Sequence, residues 1–115
     1  MKKGLKAKWI LALISGKYQQ TKETLRNQDG YCCLGVLADV SKCGVWDNHD
    51  DDGTWQTHYQ YHTSHKGEDG FNKNLLSKPL LRDLGLADEE QQFLSKQNDD
   101  GEDFETIADW IIENI

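Results

Sequence analysis

The chain has 115 residues, 37% of them hydrophobic and including four Trp, four Tyr and three Phe, which suits one polar globular domain with its own core, so disorder is not the default expectation. No apolar run approaches the roughly 20 residues that span a bilayer, and Met1-Lys2-Lys3 leads into a polar amphipathic segment, so the sequence predicts a cytoplasmic protein with no membrane partner. The net charge of −7 conceals an asymmetry: residues 1–28 carry seven Lys or Arg against one acid, or +6, and residues 29–115 carry six against nineteen, or −13.

Leu5, Trp9, Ala12 and Leu13 recur at helical spacing and Ser15-Gly16 offers a stop, so the first predicted helix spans about 3–15. Tyr18 to Leu25 alternates too loosely for a strand, and Asn27-Gln28-Asp29-Gly30 reads as a turn that could close a short hairpin. From Cys32 to Lys42, Cys33, Val36, Leu37 and Val40 follow the i, i+3, i+4, i+7 rule. This predicts a central core helix with Cys33 in the buried stripe and with Cys32 and Gly35 on another face beside Tyr31. A glycine inside that helix costs about 1 kcal/mol relative to Ala, which points to a close packing partner or a close ligand. Cys43-Gly44 ends it.

Residues 47–70 read as a surface excursion or inserted hairpin, in which Trp55, Thr57, Tyr59 and Tyr61 alternate with Gln56, His58, Gln60 and His62 along one strand, and Gly67 to Gly70 closes the excursion. Pro79 and Gly85 bracket a helix over about 78–84. Asp88 to Gln97 fits a helix or a short strand, Asn98-Asp99-Asp100-Gly101 reads as a turn, and Asp103 caps a last helix carrying Phe104, Ile107, Ala108, Ile111 and Ile115. The expected architecture is a single α+β domain over 1–115, helix-dominated, with about four helices and a small antiparallel sheet or hairpin.

Three cysteines, two of them adjacent and able to pair only through a strained ring, predict reduced thiols. Cys32 at a helix N-terminus meets one condition for a lowered thiol pKa, but no nucleophile signature surrounds it, and a buried packing role is the better expectation. No catalytic residue is assigned. Cys32-Cys33 with a remote Cys43 lacks the paired spacing of a zinc site, and His58 and His62 on an extended segment would stand about 13 Å apart. Asn48-His49-Asp50-Asp51-Asp52-Gly53 imitates the opening of a calcium loop, yet Tyr59 stands where the bidentate Glu belongs, so a solvated loop is expected. Neither metal nor cofactor is expected, and the common phosphate-loop, dinucleotide, hydrolase-elbow and zincin motifs are absent from the sequence. Tyr18, Tyr31, Trp46 and Trp110 are the aromatic residues that could stack on a base, although in a small domain such residues are usually core anchors.

Several stretches together resemble a family of small accessory proteins of tailed bacteriophages and prophages. They are Trp9, Ala12-Leu13, Ser15-Gly16-Lys17-Tyr18-Gln19-Gln20, the block Tyr31-Cys32-Cys33-Leu34-Gly35-Val36-Leu37-Ala38-Asp39, then Leu84-Gly85-Leu86, Leu94, Asn98-Asp99, Gly101, Phe104 and Ile107-Ala108-Asp109-Trp110-Ile111. About half of the chain is covered, and residues 47–70 fall outside. The resemblance implies a phage accessory role in the host cytoplasm, often directed against antiviral defence, and assigns no residue.

Two binding functions are therefore expected ahead of a cysteine-dependent enzyme. The first is sequestration of a nucleotide-like signal, a sponge, with Arg26, Tyr31, Cys32, Asn98 and Asp99 as candidate ligand-binding residues supplying charge, stacking and hydrogen bonds. The second is inhibition of a host defence protein by nucleic-acid mimicry, through the carboxylates of Asp50 to Asp52, Asp88 to Glu90 and Asp99 to Glu105. Direct nucleic-acid binding is not expected, and a homo-oligomer is left open.

Overall fold

In the computed structural model, which describes residues 1–50, 57–64 and 73–115, Trp9 anchors the first helix. This helix, α1 (Lys3–Ile14), buries Trp9 and Leu13, and the Trp9 indole donates a 2.9 Å hydrogen bond to the Cys33 carbonyl. The largest side chain of α1 thus satisfies its one polar atom inside the core. The predicted hairpin follows as β1 (Arg26–Asn27) and β2 (Gly30–Tyr31). Asn27 shapes its turn, because Oδ1 accepts from the Asp29 and Gly30 amides at 2.8 and 3.1 Å. Gly30 is required there by a close approach: a Cβ would overlap the Gln19 carbonyl, which accepts from the Tyr31 amide at 2.8 Å.

The central helix, α2 (Cys33–Ser41), departs from the amphipathic expectation. Every residue from Cys33 to Ala38 is buried, and Cys32, which caps it, is only 4% exposed. Over Cys33 to Ala38 no second face is open to a ligand among the described residues, because α1, the helix α4 (Asp88–Asp99) and the strands all contact α2. Gly35 is the point of closest approach, where a Cβ would overlap the Leu25 carbonyl oxygen. The expected packing partner is therefore backbone. Lys42, in the left-handed region at φ 55°, ends the helix.

The segment expected to be an excursion contains a hairpin, as anticipated, but it begins earlier. β3 (Gly44–Asp50) pairs antiparallel with β4 (Thr57–Thr63) in an unbroken register from Gly44 opposite Thr63 to Asp50 opposite Thr57. Asn48 to Asp50 are therefore strand backbone, which corrects the solvated-loop reading of that part. A single bridge between Asn27 and His58 joins the two hairpins in the order β2-β1-β4-β3. Asp51 to Gly53 of the calcium-loop imitation, Trp55 and Gln56 of the expected strand, His65, and the closing stretch Gly67 to Gly70 lie outside the described residues.

α3 (Lys78–Leu84) has Pro79 in its first turn, the Ser77 side chain as its cap and Gly85 at φ 76° as its end. α5 (Phe104–Asn114) is capped by Asp103, whose carboxylate accepts from the Thr106 amide at 2.8 Å. Between them the ambiguous Asp88 segment is the helix α4, bringing the helices among the described residues to five, and it continues to Asp99. Asn98 and Asp99 thus belong to the last helical turn, and the expected turn starts after them. The α4 stripe facing the core is Gln91, Leu94 and Asn98. Two polar members explain why hydrophobic periodicity did not decide between helix and strand there. Among the described residues no helix is long and apolar enough to cross a membrane.

Candidate ligand-binding site

Strand register assembles one cluster from the four described strands. The Gln28-Asp29 turn sets Arg26 opposite Tyr31, and one step along from the Asn27–His58 bridge Arg26 faces Tyr59. Trp46 stands opposite Tyr61 in the neighbouring row of the same face. The outcome is an arginine ringed by aromatics: its guanidinium carbon lies 4.1 Å from the Tyr59 ring centroid, 4.8 Å from Tyr31 and 5.5 Å from Trp46. Each such contact contributes about 0.5–2 kcal/mol and engages a face of the guanidinium, leaving N–H donors in its plane for hydrogen bonding. Arg26, Tyr31, Trp46 and Tyr59 are all half-buried, so the cluster keeps an edge toward solvent.

The aromatic series continues on both sides. Tyr18 packs edge-on to Tyr31 with centroids 4.9 Å apart, and Trp46 packs against Tyr61 at 4.9 Å. Asp39, near the end of α2, fixes two of these rings: one carboxylate oxygen accepts from the Tyr18 hydroxyl and the other from the Trp46 indole at 3.1 Å. Burial, reinforced by Asp39, holds the Tyr18 hydroxyl well above the usual phenol range. Burial also raises Tyr31, against the opposing pull of Arg26, and raises Tyr61. These rings stay neutral near physiological pH and offer faces and hydroxyls, while Arg26 supplies the positive charge.

The other candidate residues do not converge here. Asn98, fully buried, is a structural knot: its Oδ1 accepts from the Cys33 amide at 3.2 Å and from Gln20 Nε2 at 3.0 Å, and its Nδ2 donates to the Thr21 carbonyl at 2.8 Å. Asp99 accepts from the Glu23 amide at 2.8 Å, holding a residue whose φ is 62°. The Asn98 carboxamide and one oxygen of the Asp99 carboxylate are thus engaged by the protein's own groups. Cys32 Sγ accepts from the Gly35 amide at 3.4 Å as the cap of α2, and Cys33 Sγ donates to the Leu94 carbonyl at 3.6 Å. Burial pushes the Cys32 thiol up to about 11 and raises Cys33 as well, the reverse of what a thiolate nucleophile needs. Cys43 is exposed. Trp110 stacks on Phe93 at 4.6 Å between α4 and α5. Among the described residues no group of three His, Cys, Asp or Glu side chains is placed to hold a metal.

Of the five candidates, then, Arg26 and Tyr31 meet, and Asn98, Asp99 and Cys32 are structural in their contacts. Sequence reasoning missed Tyr59 and Asp39. The signal for the former was a shared parity with Tyr61 on one strand face, usable only once Trp46 was placed on the partner strand.

Of the positions behind the sequence resemblance, Tyr18 bonds Asp39 beside the Arg26 cluster, whereas Gln20, Cys33 and Asn98 meet one another away from it. Over residues 1–115 the chain matches the family model described as a domain of unknown function, DUF8296. The chain belongs to this family. No curated protein and no solved structure matches it. In this DUF8296 domain the Arg26 cluster combines charge, stacking faces and solvent access, which makes it the candidate site.

Proposed function

We propose that this protein acts by binding, as a phage accessory factor that sequesters a nucleotide-like signalling molecule in counter-defence, with the ligand docked at Arg26, Tyr31, Trp46 and Tyr59. The observation that carries the reading is the guanidinium held 4.1–5.5 Å from three ring centroids at a half-exposed position. A planar fork of N–H donors matches phosphate oxygens two at a time, and neighbouring ring faces accept a base. Pre-positioning by three rings lowers the ordering cost that a free arginine would incur on binding. Inhibition of a host protein through acidic mimicry draws less support, because Asp88, Asp99 and Asp103 already accept hydrogen bonds from the protein's own groups.

The test is thermal unfolding of the purified chain with a panel of cyclic oligonucleotides and ADP-ribose derivatives. A ligand at 100 times its Kd adds about 2.7 kcal/mol of stability. Arg26→Ala should abolish the shift while retaining the far-ultraviolet circular dichroism of the folded chain. No shift with any member of the panel, or an equal shift for Arg26→Ala, overturns the proposal.

A further inference from the structure

Arg26 is half-buried, yet among the described residues its guanidinium has no carboxylate within ion-pair distance and no hydrogen-bond partner. A positive charge partly withdrawn from water and left unpaired costs free energy that an anion at its N–H edge would offset. Tyr31, Trp46 and Tyr59 hold the group in place, so its fork of donors is presented in a fixed position.

The polar groups around the cluster that could identify a base are, by contrast, already engaged. Asp39 gives one oxygen to the Tyr18 hydroxyl and the other to the Trp46 indole. Asn27, next to Arg26, accepts through Oδ1 from the Asp29 and Gly30 amides and donates through Nδ2 to the Thr21 hydroxyl. The Tyr61 hydroxyl accepts from the Gly44 amide at 2.7 Å. Among the described residues of the cluster, the Arg26 fork and the hydroxyls of Tyr31 and Tyr59 are left without a hydrogen-bond partner. A hydroxyl turns to donate or to accept and so meets any base edge, whereas a fixed pattern of amides and carboxylates is what tells one base from another. Ring faces are equally tolerant, because every base has a π-face. The fork is the one demanding element, and the paired oxygens of a phosphate satisfy it.

We infer that this site selects the phosphate of its ligand and accepts the base without identifying it, so that it takes nucleotides of any base through a phosphate seated on the Arg26 fork. This selectivity rests on the sequestration reading and sharpens it: the protein is a sponge of broad range, suited to signals whose bases vary.

Isothermal titration of the full chain with ADP, GDP, CDP and UDP should give four dissociation constants within about threefold of one another, because stacking is tolerant of the base. Adenosine, which keeps the base and lacks the phosphate, should bind at least about thirtyfold more weakly than ADP, through loss of a bidentate charge-assisted pair. Inorganic pyrophosphate should displace all four nucleotides. Arg26→Lys keeps the charge and loses the fork, and it should weaken all four equally, by about tenfold. A spread beyond about tenfold across the bases overturns the proposal while leaving nucleotide binding intact, and so does adenosine binding as tightly as ADP. Pyrophosphate that fails to compete overturns it as well. If none of the four diphosphates binds, base-indifferent selection falls by itself, since sequestration is decided separately by the cyclic oligonucleotides and ADP-ribose derivatives of the thermal panel.

Discussion

Asn98 shows how much one amide can hold together. Its side chain joins the end of α4 to the first amide of α2 and to the loop at Gln20 and Thr21, and it does so with no exposure to solvent. Asn98→Ala would strand the buried Cys33 amide and the half-buried Thr21 carbonyl, each costly once its partner is gone. The expected loss is on the order of 3 kcal/mol, measured by urea denaturation, while any ligand response at Arg26 survives in the folded fraction. A variant that kept its stability and lost ligand response would return Asn98 to the binding site. The sequence marked Asn98 and Asp99 as polar and adjacent, which is what both a binding turn and a buried knot require. Burial distinguishes the two, and burial is not written in local sequence.

Among the elements, α2 tests two opposing effects at one position. Ala in place of Gly35 would gain about 1 kcal/mol of helix propensity. The added Cβ, however, meets the Leu25 carbonyl oxygen, which is backbone and cannot rotate away. Overpacking costs typically 1–3 kcal/mol, and a clash with fixed backbone falls at the upper end, so Gly35→Ala should be destabilising by up to about 2 kcal/mol net of the propensity gain, read from the midpoint of chemical denaturation. A stabilised variant would mean that α2 moves away from Leu25 freely. The elements most legible in sequence were those whose own residues carried the signal: α3 through Pro79 and Gly85, α5 through Asp103 and its apolar repeat, and the turn through Asn27 and Gly30. β3 was not legible as a strand. Trp46 is half-buried between exposed Val45 and Asp47, so the segment presents too short an apolar alternation, and its pairing with β4 is non-local.

For the whole molecule, the buried thiols and phenols predict an alkaline limit to stability. Cys32 is raised to about 11 from an ordinary value of 9.0, and Cys33, Tyr18, Tyr31 and Tyr61 shift in the same direction, chiefly through burial. Each group binds its proton more tightly folded than unfolded, so its contribution is complete below the unfolded pKa and disappears as pH rises through the folded value. Stability should hold up to about pH 9 and decline toward pH 11, with Cys32 alone responsible for on the order of 2–3 kcal/mol. Cys32→Ser should make the decline shallower in denaturation measured as a function of pH, and an unchanged slope would remove Cys32 as a cause.

What the sequence determined by itself was the class of domain, the last helix and its cap, the helix at Pro79, and the turn from Asn27 to Gly30. These rest on periodicity and on side-chain to backbone bonds a few residues long, so they are local. The tertiary structure alone decided that α2 has no free face, that Asn98 is enclosed, and that Trp46 and Tyr59 close around Arg26. Each of these depends on which distant segment arrives alongside. Such pairings are chosen by the packing of the whole core and the register of strands far apart in the chain.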